Sequence, residues 1–123
     1  MIQVKRVYEQ PSRTDGLRVL VDRLWPRGLT KQRAAVKIWE KDLAPSSELR
    51  KWFAHDATKW DQFQRRYRKE LRDKKETLEL LRNKSTERTV TLLYGARDEN
   101  HKRFASSHTV LIEQSLDVTN CFR

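Results

Sequence analysis

A chain of 123 residues, 37% hydrophobic and 36% charged, has room for one domain, since two would fall below the usual domain size. Four Trp argue against disorder because they supply large apolar surface for a core, and no run approaches the ~20 apolar residues of a membrane span. The formal net charge of +10, with a pI of about 10.1, favours anionic partners, although the basic residues are spread along the chain and mixed with acids.

Ile2 to Tyr8 alternates apolar and polar residues, with Ile2, Val4 and Tyr8 on one face, and predicts a short strand. Gln10 to Gly16 is a polar turn broken by Pro11 and by Asp15-Gly16. Leu17 to Leu24 predicts a second strand, with Leu17, Val19 and Val21 on one face and Leu20 and Leu24 on the other. Apolar residues on both faces mark a buried, central strand. Leu29 to Ala35 predicts a helical turn with Thr30 as its cap, Val36 to Trp39 a third strand, and Asp42 to Pro45 a loop. Ser46 reads as the N-cap of a helix from Ser47 to Ala54, with Glu48 favourable to its dipole and Leu49, Trp52 and Phe53 as its buried stripe.

Asp56 or Thr58 caps a longer helix in which Trp60, Phe63, Tyr67 and Leu71 share one face. Those aromatics fit core packing better than base stacking, because a helix needs such a stripe to dock at all. Arg65, Arg66, Arg68, Lys69 and Arg72 surround the stripe as a solvated face and, second, as an anion surface. After a break near Asp73, Leu78, Leu80 and Leu81 continue the helix or begin another. Thr89 to Tyr94 is β-branched and apolar and predicts a last strand, ended by Gly95. Ser106 or Ser107 caps a final helix through Leu116, burying Val110, Leu111 and Leu116. The only cysteine, Cys121, excludes an internal disulfide and fits a reducing compartment; with no charged-then-apolar leader, a cytoplasmic protein is expected.

This order predicts an α/β fold: a single small domain over residues 1–123, with a mostly parallel sheet of three to four strands flanked by helices. In such sheets ligands collect beyond the carboxyl ends of strands. Two segments meet that rule, Arg23 to Gly28 and Tyr94 to Asp98.

The segments Val21-Asp22-Arg23-Leu24-Trp25-Pro26-Arg27-Gly28, Trp39-Glu40-Lys41-Asp42-Leu43-Ala44-Pro45-Ser46, Glu48-Leu49-Arg50-Lys51-Trp52-Phe53, and Leu92-Leu93-Tyr94 with Ala96-Arg97-Asp98 fall in order along nearly the whole chain. Together they resemble the YeaO-like family of bacterial proteins, a branch of domain of unknown function 488. The resemblance implies a single α/β domain with an uncharacterised biochemical role. Members of that family carry an Asn-His-Ala step that opens the final helix, and Ser107-His108-Thr109 stands at the matching place here. Ser107 replaces the Asn, and the loop from Asp98 to His108 is longer than the family's usual one.

The candidate ligand-binding residues are Arg23, Trp25, Arg27, Gly28, Lys41, Ser46, Tyr94 and Arg97. Arg23, Arg27 and Arg97 can grip oxyanions in a fixed fork. Gly28 can add backbone N–H groups, and Trp25 and Tyr94 can wall a pocket. Lys41 and Ser46 lead into a helix N-terminus, a natural anion site, although Ser46 is a plain N-cap rather than a nucleophile because no nucleophile elbow surrounds it. The candidate catalytic residues are His108, whose imidazole titrates near neutral pH, and Asp22 or Asp98 as its partner in proton transfer. Each also has a structural reading, as a strand-end ion pair, a rigid turn, or a hydrogen bond tying helix to loop.

No metal site is expected from one terminal Cys and three scattered His. Neither Gly-rich phosphate loop is present, so no cofactor is expected. The reading is therefore a protein that binds, and as an enzyme would process, an anionic small molecule such as a nucleotide or phosphorylated metabolite. The alternative is a basic accessory protein bound to nucleic acid, for which a continuous basic stripe on the fold would argue. The sequence sets no oligomeric state and leaves open whether the protein is an enzyme.

Overall fold

A computed structural model describes residues 1–54, 56–95, 111, 112 and 116. Strands β1 (Ile2–Arg6), β2 (Leu17–Leu20), β3 (Ile38–Trp39) and β4 (Val90–Tyr94) form one sheet in the order β1-β4-β2-β3, and all three pairings are parallel. The chain's most β-prone run takes the centre. All five residues of β4 are buried, and Leu92 lies opposite Val4 on one side and Val19 on the other.

Parallel pairing requires every connection to cross the sheet. The chain passes from β2 to β3 through a short helix, α1 (Lys31–Ala34), capped by the Thr30 hydroxyl, which accepts from the Arg33 N–H at 3.1 Å. From β3 to β4 it runs through α2 (Ser47–Phe53), α3 (Trp60–Arg72) and α4 (Lys75–Glu87). Ser46 and Asp56 take the capping places expected of them, Asp56 heading a short turn, Ala57–Lys59, that leads into α3. Residues Leu111, Ile112 and Leu116 are helical and buried in the same core. Among the described residues no helix is long and apolar enough to cross a membrane.

The sheet buries both faces. Val19, Val21, Val90 and Leu92 meet Leu49, Phe53, Phe63, Tyr67 and Leu81 of the long helices on one side. On the other, Val7, Leu20 and Leu93 meet Ala34 of α1, with Tyr8, Trp25, Leu29 and Val36 packed against them. This second face also holds a polar knot. The buried carboxylate of Asp15 accepts from Arg18 Nη1, from Lys5 Nζ at 3.1 Å and from the Ser12 N–H at 2.9 Å. Arg18 also donates from Nη2 to the Ala34 carbonyl and from Nε to the Ala35 carbonyl, and the buried Thr91 hydroxyl donates to the Asp15 carbonyl. Gly16 follows with φ +62, and a Cβ there would lie 2.2 Å from the Thr89 carbonyl oxygen, so only glycine fits where β2 enters the sheet.

Two expectations from the sequence pattern shift. The second strand ends at Leu20 rather than Leu24, because the chain turns at Asp22 to reach Pro26, and Leu24 is consequently 69% exposed. Tyr8 leaves the face of Ile2 and Val4 for the opposite side, because β1 stops at Arg6 and period two stops with it. Leu80 lies on the outer side of α4, half exposed, while Leu81 is buried. The final helix's expected caps Ser106 and Ser107, and Val110, lie outside the described residues.

Candidate functional site

At the carboxyl end of β2 the chain is pinned to its neighbours before it turns. Val21 N–H donates to the Leu93 carbonyl at 3.2 Å, and the Asp22 carboxylate accepts from the Gly95 N–H at 2.6 Å. A Cβ on Gly95 would lie 3.0 Å from that carboxylate oxygen. Asp22 is thereby a clamp between the ends of β2 and β4. Its own carbonyl accepts from Trp39 Nε1 at 2.7 Å, which draws in the end of β3 as well.

Trp25 donates through Nε1 to the Leu29 carbonyl at 2.7 Å and meets the Trp39 ring edge-on, with centroids 5.5 Å apart. Lys41 Nζ lies 4.7 Å from the centre of the Trp39 ring. Pro26 to Leu29 forms a tight turn with Gly28 at φ +79, which glycine alone enters without strain, and Leu29 N–H reaches back to the Pro26 carbonyl. Arg27 and Gly28 are exposed at this turn, and the Arg27 carbonyl is held by the Tyr8 hydroxyl at 2.9 Å.

Beside this cluster lies a cleft of about 230 Å³, whose lining carries the cations Arg23 and Lys74, the carboxylates Asp42, Glu70 and Asp73, and Ser46 and Tyr67. Two elements meet there. The Ser46 hydroxyl accepts from the Leu49 N–H at 3.1 Å as the α2 cap, and donates to Glu70 of α3 at 2.6 Å. Ser46 N–H donates to the same carboxylate at 2.9 Å, so one acid fixes the whole cap. Tyr67 donates its hydroxyl to the Leu43 carbonyl. Burial, then the nearby carboxylates of Glu70 and Asp22, push that phenol well above its ordinary range, so it remains a neutral donor. Glu40, at the start of the same loop, is also raised, first by burial and then by Asp42.

Arg23 stands apart from these satisfied groups. Its Nη2 makes only a long contact, 3.4 Å, to the Pro45 carbonyl. Its Nε is buried with no hydrogen-bond partner, and no carboxylate of the described residues lies within 4.0 Å of its guanidinium. Asp22, Trp25, Lys41 and Tyr94 therefore gather at the strand ends, and Arg23 and Ser46 share the adjoining cleft. Arg97, Asp98 and His108, with His55 and His101, lie outside the described residues. Glu70 was not among the predicted residues, because it hides among the basic residues of α3. Its spacing of three from Tyr67 puts it on the docking face and was the available signal.

Residues 1–120 match the family described as the inactive DUF488-N3 subclade. The chain belongs to this family. Among curated proteins, the chain is 42% identical over 116 residues to the uncharacterized protein Rv3073c of Mycobacterium tuberculosis, covering 94% of this chain and 93% of that one. It is 40% identical over 102 residues to the uncharacterized protein YeaO of Escherichia coli, covering 81% of this chain and 89% of that one. The YeaO-like resemblance read from the motifs therefore holds. No solved structure matches the chain.

Proposed function

We propose that this protein binds, rather than transforms, a small anionic molecule in the cleft beside the carboxyl end of β2. The observation that carries the reading is Arg23, a guanidinium lining the cleft with a buried, unpartnered Nε and, among the described residues, no carboxylate within 4.0 Å of it. An unsatisfied charged donor in that setting costs free energy, and an oxyanion paired with the rest of the guanidinium, where Nη2 makes only its long contact to Pro45, would offset that cost. The family's description as inactive supports binding over chemistry.

The cleft is smaller than the 300 Å³ or more of pockets that enclose drug-sized ligands. A compact phosphorylated metabolite, or the phosphate end of a nucleotide, suits it better than an entire nucleotide. Asp22 serves as the clamp on Gly95 rather than as a base, and the single cysteine supports a reducing, cytoplasmic setting.

A thermal-shift screen with inorganic phosphate, sugar phosphates and nucleoside monophosphates, at low and moderate salt, tests the reading. A ligand at 100 times its Kd stabilises the wild type by about 2.7 kcal/mol, on the order of 10 °C in Tm for a domain of this size. The shift is expected to survive moderate salt and to vanish in Arg23→Gln. Equal shifts in the two proteins, or none in either, would sink the proposal.

A further inference from the structure

A second charged surface lies on the opposite side of α3 from its docking stripe. Residues 65–72 carry five cations and one acid, Glu70. The Glu70 carboxylate is turned to the α2 cap, where it accepts from both the N–H and the hydroxyl of Ser46. Arg65, Lys69 and Arg72 are exposed, and no carboxylate of the described residues lies within 4.0 Å of any of them. Their spacing of four and three places them on one helical face, about 10 Å from end to end. Arg66 extends the surface toward α2, with its guanidinium 4.0 Å from the centre of the Trp52 ring.

We propose that this face docks the phosphodiester backbone of duplex nucleic acid without reading its sequence. The exposed cations are complementary to a duplex, which carries one negative charge per roughly 1.7 Å of its axis, and the net charge of +10 draws such a partner in. A single strand is the poorer fit. Its binding calls for aromatic platforms, yet Phe63 and Tyr67 point into the core at 4% and 0% exposure, and Arg66 and Lys59 both lie against Trp52. The row of Arg65, Lys69 and Arg72 is therefore a backbone-contacting surface, separate from the Arg23 cleft.

Fluorescence anisotropy with a mixed-sequence 20-base-pair DNA duplex, titrated across salt concentrations, tests the inference. Each phosphate contact contributes about −0.9 to the slope of log affinity against log salt. Arg65→Gln/Lys69→Gln should flatten that slope by about 2 and weaken binding roughly 10- to 100-fold at low salt. Lys31→Gln/Arg33→Gln, which removes the same charge from α1, should leave the slope within about 0.5 of wild type. Arg23→Gln should bind the duplex as wild type does, which keeps failure here distinct from failure at the cleft. An equal loss in the α1 variant, tighter binding of the matching single strand, or equal binding to phosphatidylserine vesicles would overturn the inference.

Discussion

Replacing Asp15 with Ala is expected to lower folding stability by about 3–5 kcal/mol, the range for removing one partner of a buried ion pair. The size follows from what is left behind. Arg18 is only 4% exposed and Asp15 2%, so the guanidinium would keep its two backbone carbonyl acceptors but lose its counter-charge away from water. Lys5 and the Ser12 N–H would each lose an acceptor as well. Urea denaturation of wild type and Asp15→Ala measures the loss, and a difference below about 1 kcal/mol would show that the knot is not structural. Arg18→Met in the same background should recover part of the loss, because an apolar side chain needs no counter-charge.

The same carboxylate predicts a pH dependence of defined sign. Burial alone would raise Asp15, but the hydrogen bonds from Ser12, Lys5 and Arg18 outweigh it and hold the group below its ordinary value of 3.8. A carboxyl depressed in the folded state contributes stability that is complete above its unfolded value and is lost as pH falls through the folded one. The stability gap between wild type and Asp15→Asn should therefore be constant near neutrality and narrow below about pH 4. A gap that widens on acidification would reverse the assignment.

The elements were legible because each rests on local chemistry. Thr30, Ser46 and Asp56 announce their caps, the run from Thr89 to Tyr94 announces a strand, and the stripe from Trp60 to Leu71 announces the docking face of α3. What stayed hidden depends on partners far away in the chain. Asp15 reads as a turn residue beside a glycine, and nothing local shows that it will neutralise Arg18 inside a strand while its carbonyl binds Thr91. Glu70 reads as one acid in a basic run, and its role appears only when α3 packs beside α2, 24 residues away at Ser46. Arg23 was legible as an anion candidate from its motif, but nothing local shows that its Nε is buried without a partner or that its Nη2 reaches the Pro45 carbonyl, 22 residues away. The end of β2 was misplaced because Leu24 continues the apolar period while Pro26 already forces the turn.

Phe63→Ala is expected to lower stability by about 3–5 kcal/mol, in the range for emptying a buried aromatic site. Phe63 is 4% exposed and lies among three other rings: Phe53 at 4.5 Å, Trp60 stacked at 5.5 Å and Tyr67 at 5.9 Å between centroids. Such contacts add about 0.5–1.5 kcal/mol per pair beyond burial. Leu80→Ala is the contrast, since Leu80 is 49% exposed and its loss should lie within about 0.5 kcal/mol of zero. Denaturant midpoints at unchanged m-value separate the two, and a Phe63→Ala loss below about 1.5 kcal/mol would mean that the ring cluster does not anchor α3. The consequence reaches both surfaces. Glu70 holds the α2 cap, and Arg65, Lys69 and Arg72 form their row, only while Phe63 seats this helix against the sheet.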